Sequence, residues 1–301
     1  MSASPSILLP SALRPLSGLS GSGLPAPDFP EVDLPDPLGR IGDLELRLAK
    51  KPKDVKKAQK LRYKVFFEEM SAQPNVMARL ARRDVDIFDQ VCDHLLVRDA
   101  TPRPGFLKKR TVGTYRLLRQ DVAERNFGFY TQGEFDIQPL IARHAHLNFL
   151  ELGRSCVLAP WRDRRTVELL WHGIWAYVLA HKADVMLGCA SLEGSDPAEH
   201  QLALSYLHHF HRAPEAWRAE ALPERRADIA LLDKDQIDPK RALRALPPLI
   251  KGYLRLGAMI GDGAVTDRQF GTTDILIVLP RAFINPRYIQ YYGAEATRHA
   301  A

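Results

Sequence analysis

The stretch "LELGRSCVLAPWRDRR" occupies Leu150–Arg165, and its reading decides the fold. Its first half is the apolar run of a strand that belongs in a core, yet Glu151 and Arg154 are set into it with Gly153 between them. Its second half is a loop carrying Arg162, Arg164 and Arg165, with no glycine from Ala159 to Thr166. A charge on a core strand is costly unless it is paired or serves a ligand. Residues 151 and 153 share one face of a strand, and Arg154 points to the other unless a bulge intervenes. A glycine inside a strand marks such a bulge or a close backbone approach.

Outward from this strand the chain alternates between strand and helix periods. "LELRLAK" at Leu44–Lys50 and "DHLLVRD" at Asp93–Asp99 read as strands. "TVGTYRLL" at Thr111–Leu118 reads as the antiparallel neighbour of the latter, across the basic turn "PGFLKKR". Pro52–Met70 has Val55, Ala58, Leu61, Val65 and Phe66 at helical spacing, with a proline in its first turn. A second helix is expected over 164–183, with Leu169, Leu170, Ile174, Val178 and Leu179 on its apolar face. "DVMLGCAS" (184–191) is a buried strand, and "TDILIVLP" gives a late one. Between them lie a helix ending in "HHFH" and an apolar helical segment broken at Pro247–Pro248. The expected organisation is a Pro/Ser/Gly-rich disordered tail over 1–40, a mixed α/β core over 41–194, and a C-terminal elaboration over 195–301 packed on that core.

Composition narrows the class. Of 301 residues, 46% are hydrophobic, enough for a sizeable core, and no apolar run is long enough for a transmembrane helix. The N-terminal stretch is a poor signal peptide. Three scattered cysteines argue for a reducing compartment and against a disulfide framework or zinc knuckle. The formal net charge of +6 suits an anionic lipid surface or an acidic protein. Nucleic acid is the weakest partner, because neither a basic recognition helix nor an aromatic RNA-binding signature is present.

Several groups remain as candidates for chemistry. Arg62 and Phe66 share a helix face four residues apart. Asp84, Asp86, Asp89 and Asp93 fall within ten residues, without the glycine and glutamate of a calcium loop. Arg116, in the middle of an apolar strand, demands an acid or a ligand anion. His208, His209 and His211 lack a companion ligand at helical spacing and read as structural, so no metal site is expected. There is no His-x4-Asp pattern and no GxSxG elbow; Cys156 reads either as a thiol nucleophile near cations or, as is more common on an apolar strand, as a packed thiol.

The motifs "LRYKVFFEEM", "DxFDQVCDHLLV", "VGTYRLLR", "FLELGRSCV", "LLWHGIWAYV", "LGCASLEGSDP", "LPPLIKGYLRLGA" and "DRQFGTTDILIVL" follow one another through residues 44–293. Together they resemble the ornithine-lipid N-acyltransferases, acyl-carrier-protein-dependent L-ornithine Nα-acyltransferases. That family is similar to the Gcn5-related (GNAT) acyltransferases and the acyl-homoserine-lactone synthases. The resemblance implies a GNAT-like α/β fold, with a mostly antiparallel twisted sheet flanked by helices. It also places Arg62, Phe66, Asp86, Asp89, Arg116, Glu151 and Arg154 at positions that match the synthase pattern. The sequence departs from that pattern in lacking a tryptophan after the first helix. It departs from acetyl-CoA users in the glycine-free loop "APWRDRRT".

The resemblance also implies roles. The thioester would lie where two strands splay apart. Glu151 would be the base, with Arg154 and Arg116 beside the reacting centre. Arg62, Arg116 or Arg154 would clamp the carboxylate of L-ornithine, and Asp86, Asp89 or Asp93 would hold its second ammonium. Arg162, Arg164 and Arg165 would meet the phosphopantetheine phosphate and the acidic carrier protein. A 3-hydroxyacyl chain would be transferred with no cofactor beyond the phosphopantetheine on the donor. An amphipathic product suggests a cytoplasmic enzyme in transient contact with an anionic inner membrane, through its basic surface and apolar C-terminal segment. An acyl-homoserine-lactone synthase, a CoA-dependent N-acetyltransferase and a non-catalytic carrier- or membrane-binding module stay open as alternatives.

Overall fold

The computed structural model describes residues 34–70, 72–102 and 109–292. Most of the expected N-terminal tail and most of the basic turn before Arg110 lie outside the described residues. The strands are β1 (Gly39–Ile41), β2 (Leu44–Leu48), β3 (Asp93–Asp99), β4 (Arg110–Arg119), β5 (Phe135–Asp136), β6 (Phe149–Val157), β7 (Val185–Glu193), β8 (Glu220–Ala221), β9 (Arg226–Ala227), β10 (Met259–Ile260), β11 (Ala264–Asp267) and β12 (Thr272–Pro280). The helices are α1 (Pro52–Tyr63), α2 (Val76–Ala81), α3 (Gln120–Arg125), α4 (Gln138–Arg143), α5 (Arg164–Ala180), α6 (Gln201–His211), α7 (Pro239–Ala245), α8 (Pro248–Leu256) and α9 (Pro286–Tyr292).

One ten-stranded sheet organises them, in the order β1-β2-β3-β4-β6-β7-β12-β11-β9, with β10 pairing to β12. Its pairings are antiparallel except that of β6 with β7. The expected α/β class and mostly antiparallel sheet are therefore found. The boundaries expected at 40 and 194 do not divide the structure. Leu38 is buried and β1 spans residue 40. β12, far beyond 194, pairs with β7 over nine residues, so the late segment continues the sheet rather than packing on it. The reason is visible in "TTDILIVLP", a run buried at every position, which only an interior strand can accommodate.

Alternation along each strand sorts side chains to two faces. On β3, Leu95 packs under α5, where Gly173 leaves room for Leu46 and Leu95. Leu96 packs instead with Val55 and Ala58 of α1. The two helices thus cover opposite faces of the sheet. The helix expected through Met70 changes pitch after Tyr63. Lys64–Glu69 form a π-helical turn closed by Met70 N–H to the Val65 carbonyl at 3.0 Å. Such turns interrupt helices at functional sites. α5 begins at an Asp163 cap that accepts from Thr166 N–H at 2.9 Å. It buries Leu169, Leu170, Ile174 and Val178, while Leu179, expected on the same face, is 42% exposed.

The ladder between β6 and β7 lasts three residue pairs, Phe149 with Val185, Leu150 with Met186 and Glu151 with Leu187. Beyond these the strands part, although each runs six residues further. At the fork a Cβ on Gly188 would stand 2.2 Å from the Leu152 carbonyl oxygen, so only glycine fits there.

Candidate active site

The splay opens a cavity of about 510 Å³ through the sheet. Register decides what each end offers. Glu151, Cys189 and Asp274 fall on the α1 face, whereas Leu152, Met186, Ala190 and Ile277 fall on the α5 face. The α5 end is walled by Leu170, Trp171 and Ile174, and by Pro247, Leu249 and Tyr253 from around the start of α8. The apolar C-terminal segment, expected to touch lipid, therefore turns inward: Ile250, Tyr253 and Leu256 are buried. A hydroxyl pair, Tyr115 with Tyr253, stands among these apolar walls.

Arg154 reaches the polar face by a bulge. Between the pairs Thr114–Cys156 and Arg116–Gly153, β6 has two residues where β4 has one. Arg154 takes a left-handed φ of +50° there. The strained residue is Arg154 itself, not Gly153. The turn carries its side chain from the apolar face to the acids, with Nη2 3.2 Å from Asp86 Oδ2 and Nε 3.6 Å from Asp84 Oδ2. The guanidinium lies over the rings of Phe270 and Tyr130, at 4.6 and 4.9 Å.

Glu151 is held by a short 3-10 turn at Tyr130–Gly133. Its Oε1 accepts from Thr131 N–H at 2.7 Å and from the Thr131 hydroxyl, and its Oε2 accepts from Tyr130 N–H at 3.0 Å. Burial raises its pKa, and the Thr131 hydrogen bonds oppose the rise. Oε2, with one donor, retains acceptor capacity.

The arginine–aspartate cluster closes on itself. Arg62 is fully buried and bidentate to Asp89, Nη1 to Oδ1 at 2.7 Å and Nη2 to Oδ2 at 2.6 Å, with Nε 2.8 Å from Asp84 Oδ2. Arg116 Nη1 meets both oxygens of Asp86 at 2.6 and 2.7 Å. Burial alone would raise Asp89. The Arg62 guanidinium, by charge and hydrogen bond, and then Arg116 hold it well below the usual carboxylate range.

Of the residues expected to bind substrate, Phe66, Arg116, Glu151, Arg154 and Arg162 line the cavity. Arg62, Asp86, Asp89 and Asp93 do not. The first three of these are consumed in mutual ion pairs. Asp93 faces α5 and accepts from the Tyr177 hydroxyl. Arg162 stands at the mouth, tied to the Val157 carbonyl at 2.8 Å and to Glu69 at 2.6 Å. Arg164 and Arg165 are exposed at the start of α5, beside Tyr291 and Asp163 respectively. Cys156 lines the cavity, but burial pushes its thiol far above neutrality, which removes it as a thiolate nucleophile. His209 meets the Leu232 carbonyl and His211 the Tyr206 hydroxyl, which are packing contacts.

Sequence reading passed over Tyr130, Thr131 and the acids Glu134, Asp267 and Asp274. Among the described residues these three carboxylates are the group able to surround a metal ion, with one oxygen of each within 4.8 Å of the others. Asp274 carried the same signal as Glu151, an acid inside an apolar strand.

A parallel strand pair that splays over a slot, with a buried carboxylate at the fork and an apolar tunnel behind it, defines an N-acyltransferase of the GNAT type. A family model for the acetyltransferase (GNAT) domain matches residues 61–172. Curated relatives named L-ornithine N(alpha)-acyltransferase extend over nearly the whole chain. That of Rhizobium meliloti (strain 1021) is 55% identical over 88% of this chain and 90% of its own length. That of Brucella abortus (strain 2308) is 54% identical over 87% and 92%. That of Rhodobacter capsulatus is 40% identical over 82% and 94%. The chain belongs to the L-ornithine N(alpha)-acyltransferase family. Among solved structures, an N-acyl amino acid synthase from uncultured soil microbes superposes with a TM-score of 0.44 at 9% identity, over 79% of this chain and 90% of that one.

Proposed function

We propose that the protein transfers a 3-hydroxyacyl chain from acyl carrier protein to the α-amine of L-ornithine. The observation that carries this reading is the two-ended slot: Glu151 and Arg154 on one face of the sheet and an apolar tunnel on the other. The thioester carbonyl sits at the fork, with its chain between Trp171, Ile174 and Met186. Along these walls the Tyr115–Tyr253 hydroxyls offer a buried hydrogen-bonding pair for a hydroxyl on the acyl chain. Glu151 Oε2 takes the proton of the incoming ammonium, directly or through a water. The freed amine attacks the carbonyl, and the oxyanion is met by backbone N–H groups on the parted edges of β6 and β7. The C–S bond breaks, the thiol leaves with a proton, and no enzyme-bound intermediate or resident cofactor is needed. Arg154, whose contacts to Asp84 and Asp86 are long, is the clamp for the acceptor's carboxylate.

Arg162 at the mouth, with Arg164 and Arg165 beyond it, suits the donor's phosphate and the acidic carrier protein. The start of α5 is already capped by Asp163, and its loop has no glycine, which disfavours a CoA pyrophosphate there. Val76, Met77 and Leu80 of α2 are 73%, 73% and 76% exposed, and Ala81 at the end of the same helix borders a hollow lined by Lys53, Lys56 and Lys60 of α1. This edge, rather than the C-terminal segment, suits transient contact with an anionic membrane on the cytoplasmic side.

The test is thiol release from 3-hydroxyacyl carrier protein with L-ornithine, L-lysine or S-adenosylmethionine, with and without anionic vesicles, and product identification by mass. An Nα-acyl ornithine is expected, with a drop of about 10²–10⁴-fold in kcat for Glu151→Ala. Release only with S-adenosylmethionine, or only from acyl-CoA, overturns the reading.

A further inference from the structure

Glu134, Asp267 and Asp274 meet on the polar face, just before β5, on β11 and on β12. Asp267, Asp274 and the intervening Thr272 line the same cavity as Glu151. All three acids are buried, at 1%, 8% and 6% exposure. No ion pair reaches any of them among the described residues. Two of their oxygens, Glu134 Oε2 and Asp274 Oδ1, are buried without a hydrogen-bond partner. Three gathered carboxylates that lack a cation form an incomplete site, because buried charge is stable only when paired.

The cluster is tied to the reacting end through Thr131. Its hydroxyl donates to Glu151 Oε1 and lies 3.8 Å from the Cys189 sulfur, and Cys189 sits beside Glu134. Along β7, Leu187 faces Glu151 and Ser191 faces Asp274, so one face of one strand connects the fork to the acids. A group held at Glu151 by its α-amine thus has the cluster within reach of a short side chain.

We propose that Glu134, Asp267 and Asp274 form the pocket for the side-chain ammonium of the acceptor amino acid, and so select a diamino acid over its neutral analogues. This rests on the acyl-transfer reading above. It replaces the assignment of that ammonium to Asp86, Asp89 and Asp93, whose charges Arg62, Arg116 and Tyr177 already occupy. A divalent cation is the rival occupant for such a donor set.

The experiment compares L-ornithine with L-norvaline, which has the same carbon chain without the terminal amine. With 3-hydroxyacyl carrier protein as donor, the wild type is expected to prefer ornithine. Glu134→Gln and Asp274→Asn are each expected to lose about 10–100-fold in kcat/KM for ornithine, with little change for norvaline. Equal losses on both acceptors overturn the proposal. So does activity abolished by EDTA and restored by magnesium or manganese. Calorimetric titration of L-ornithine into the resting protein reads the pocket without turnover. Binding that survives in both variants overturns the proposal even if no acceptor is acylated, whereas binding lost in both with no turnover anywhere removes only the transfer reading.

Discussion

Two clusters of carboxylates stand on the same face of the sheet, one beside β4 and β6 and the other beside β11 and β12. In the first, Asp84, Asp86 and Asp89 meet Arg62, Arg116 and Arg154, three charges against three. In the second, Glu134, Asp267 and Asp274 meet one another. Surroundings move their protons in opposite directions. Burial opposes ionisation of Asp86, yet Arg116 and Arg154 hold its pKa down. Burial raises Asp274; the Ser191 and Thr272 hydroxyls temper the rise, and the Asp267 charge adds to it. A cluster whose charges cancel fixes geometry: Arg62 and Arg116, bound at 2.6–2.8 Å, tie α1 and the loop before β3 to β4, and Arg154, at 3.2 and 3.6 Å, is the member with capacity left for an anion. A cluster whose charges repel is complete only when something cationic arrives.

The sharpest way to break this comparison is to remove one cation from the neutral cluster. Arg62→Met strips Asp84 and Asp89 of their shortest ion pairs and leaves only the longer contacts of Arg154 at 3.6 Å and Arg116 at 3.4 Å; removing one partner of a buried pair costs about 3–5 kcal/mol. Urea unfolding followed by circular dichroism is expected to show that loss, with the midpoint moving and the slope unchanged. A variant as stable as the wild type would dissolve the distinction. The converse change should act in the other direction. Asp274→Asn removes a charge from the repelling cluster while keeping its shape, and a gain of about 1 kcal/mol, roughly 2 °C in Tm, is expected by thermal unfolding. A loss there would mean that the second cluster is also self-sufficient.

How much of this was legible in the sequence follows the same division. Glu151, Arg154 and Arg116 were conspicuous because a charge inside an apolar strand breaks a local rule, and strand period is short enough to place such a charge on a face. The sequence also marked a bulge near residue 153, but not that Arg154 would supply the left-handed residue, since φ is set by register against β4 rather than by residue type. The roles of Arg62 and the aspartates were legible only as a group. Which acid closes on which arginine depends on contacts 22 to 68 residues apart. The acidic pocket was missed although Asp274 stood in "TDILIVLP", because the late strand was set aside as an appendage. Long-range pairing of β12 with β7 is what brings it to Glu134, about 140 positions earlier in the chain. The turn at Thr131 was invisible for a simpler reason: two of its three bonds to Glu151 come from backbone N–H groups, which leave no trace in residue type.

The smallest effect is the most specific, because it is read as a function of pH. Burial, and then the neighbouring Asp274 charge, push the Glu134 carboxyl up to about 7. Asp274 and Asp267 face it with like charge, while the neighbouring Cys189 thiol and Arg225 act in the opposite direction. A carboxyl whose pKa is raised on folding contributes stability that is full below its unfolded value of 4.5, and that contribution is lost as pH rises towards about 7. The wild type is therefore expected to lose stability between about pH 4.5 and 7 relative to Glu134→Gln, with the two curves parallel above that window. Ornithine should act in the reverse sense, because an ammonium pairs with the ionised form: its KM should fall as pH rises through about 7, while that of norvaline should not. Thermal unfolding across the pH range, with and without ornithine, measures both halves. If ornithine stabilises the protein equally at pH 5.5 and pH 8, the proton on Glu134 and the side-chain ammonium are not competing for the same three carboxylates.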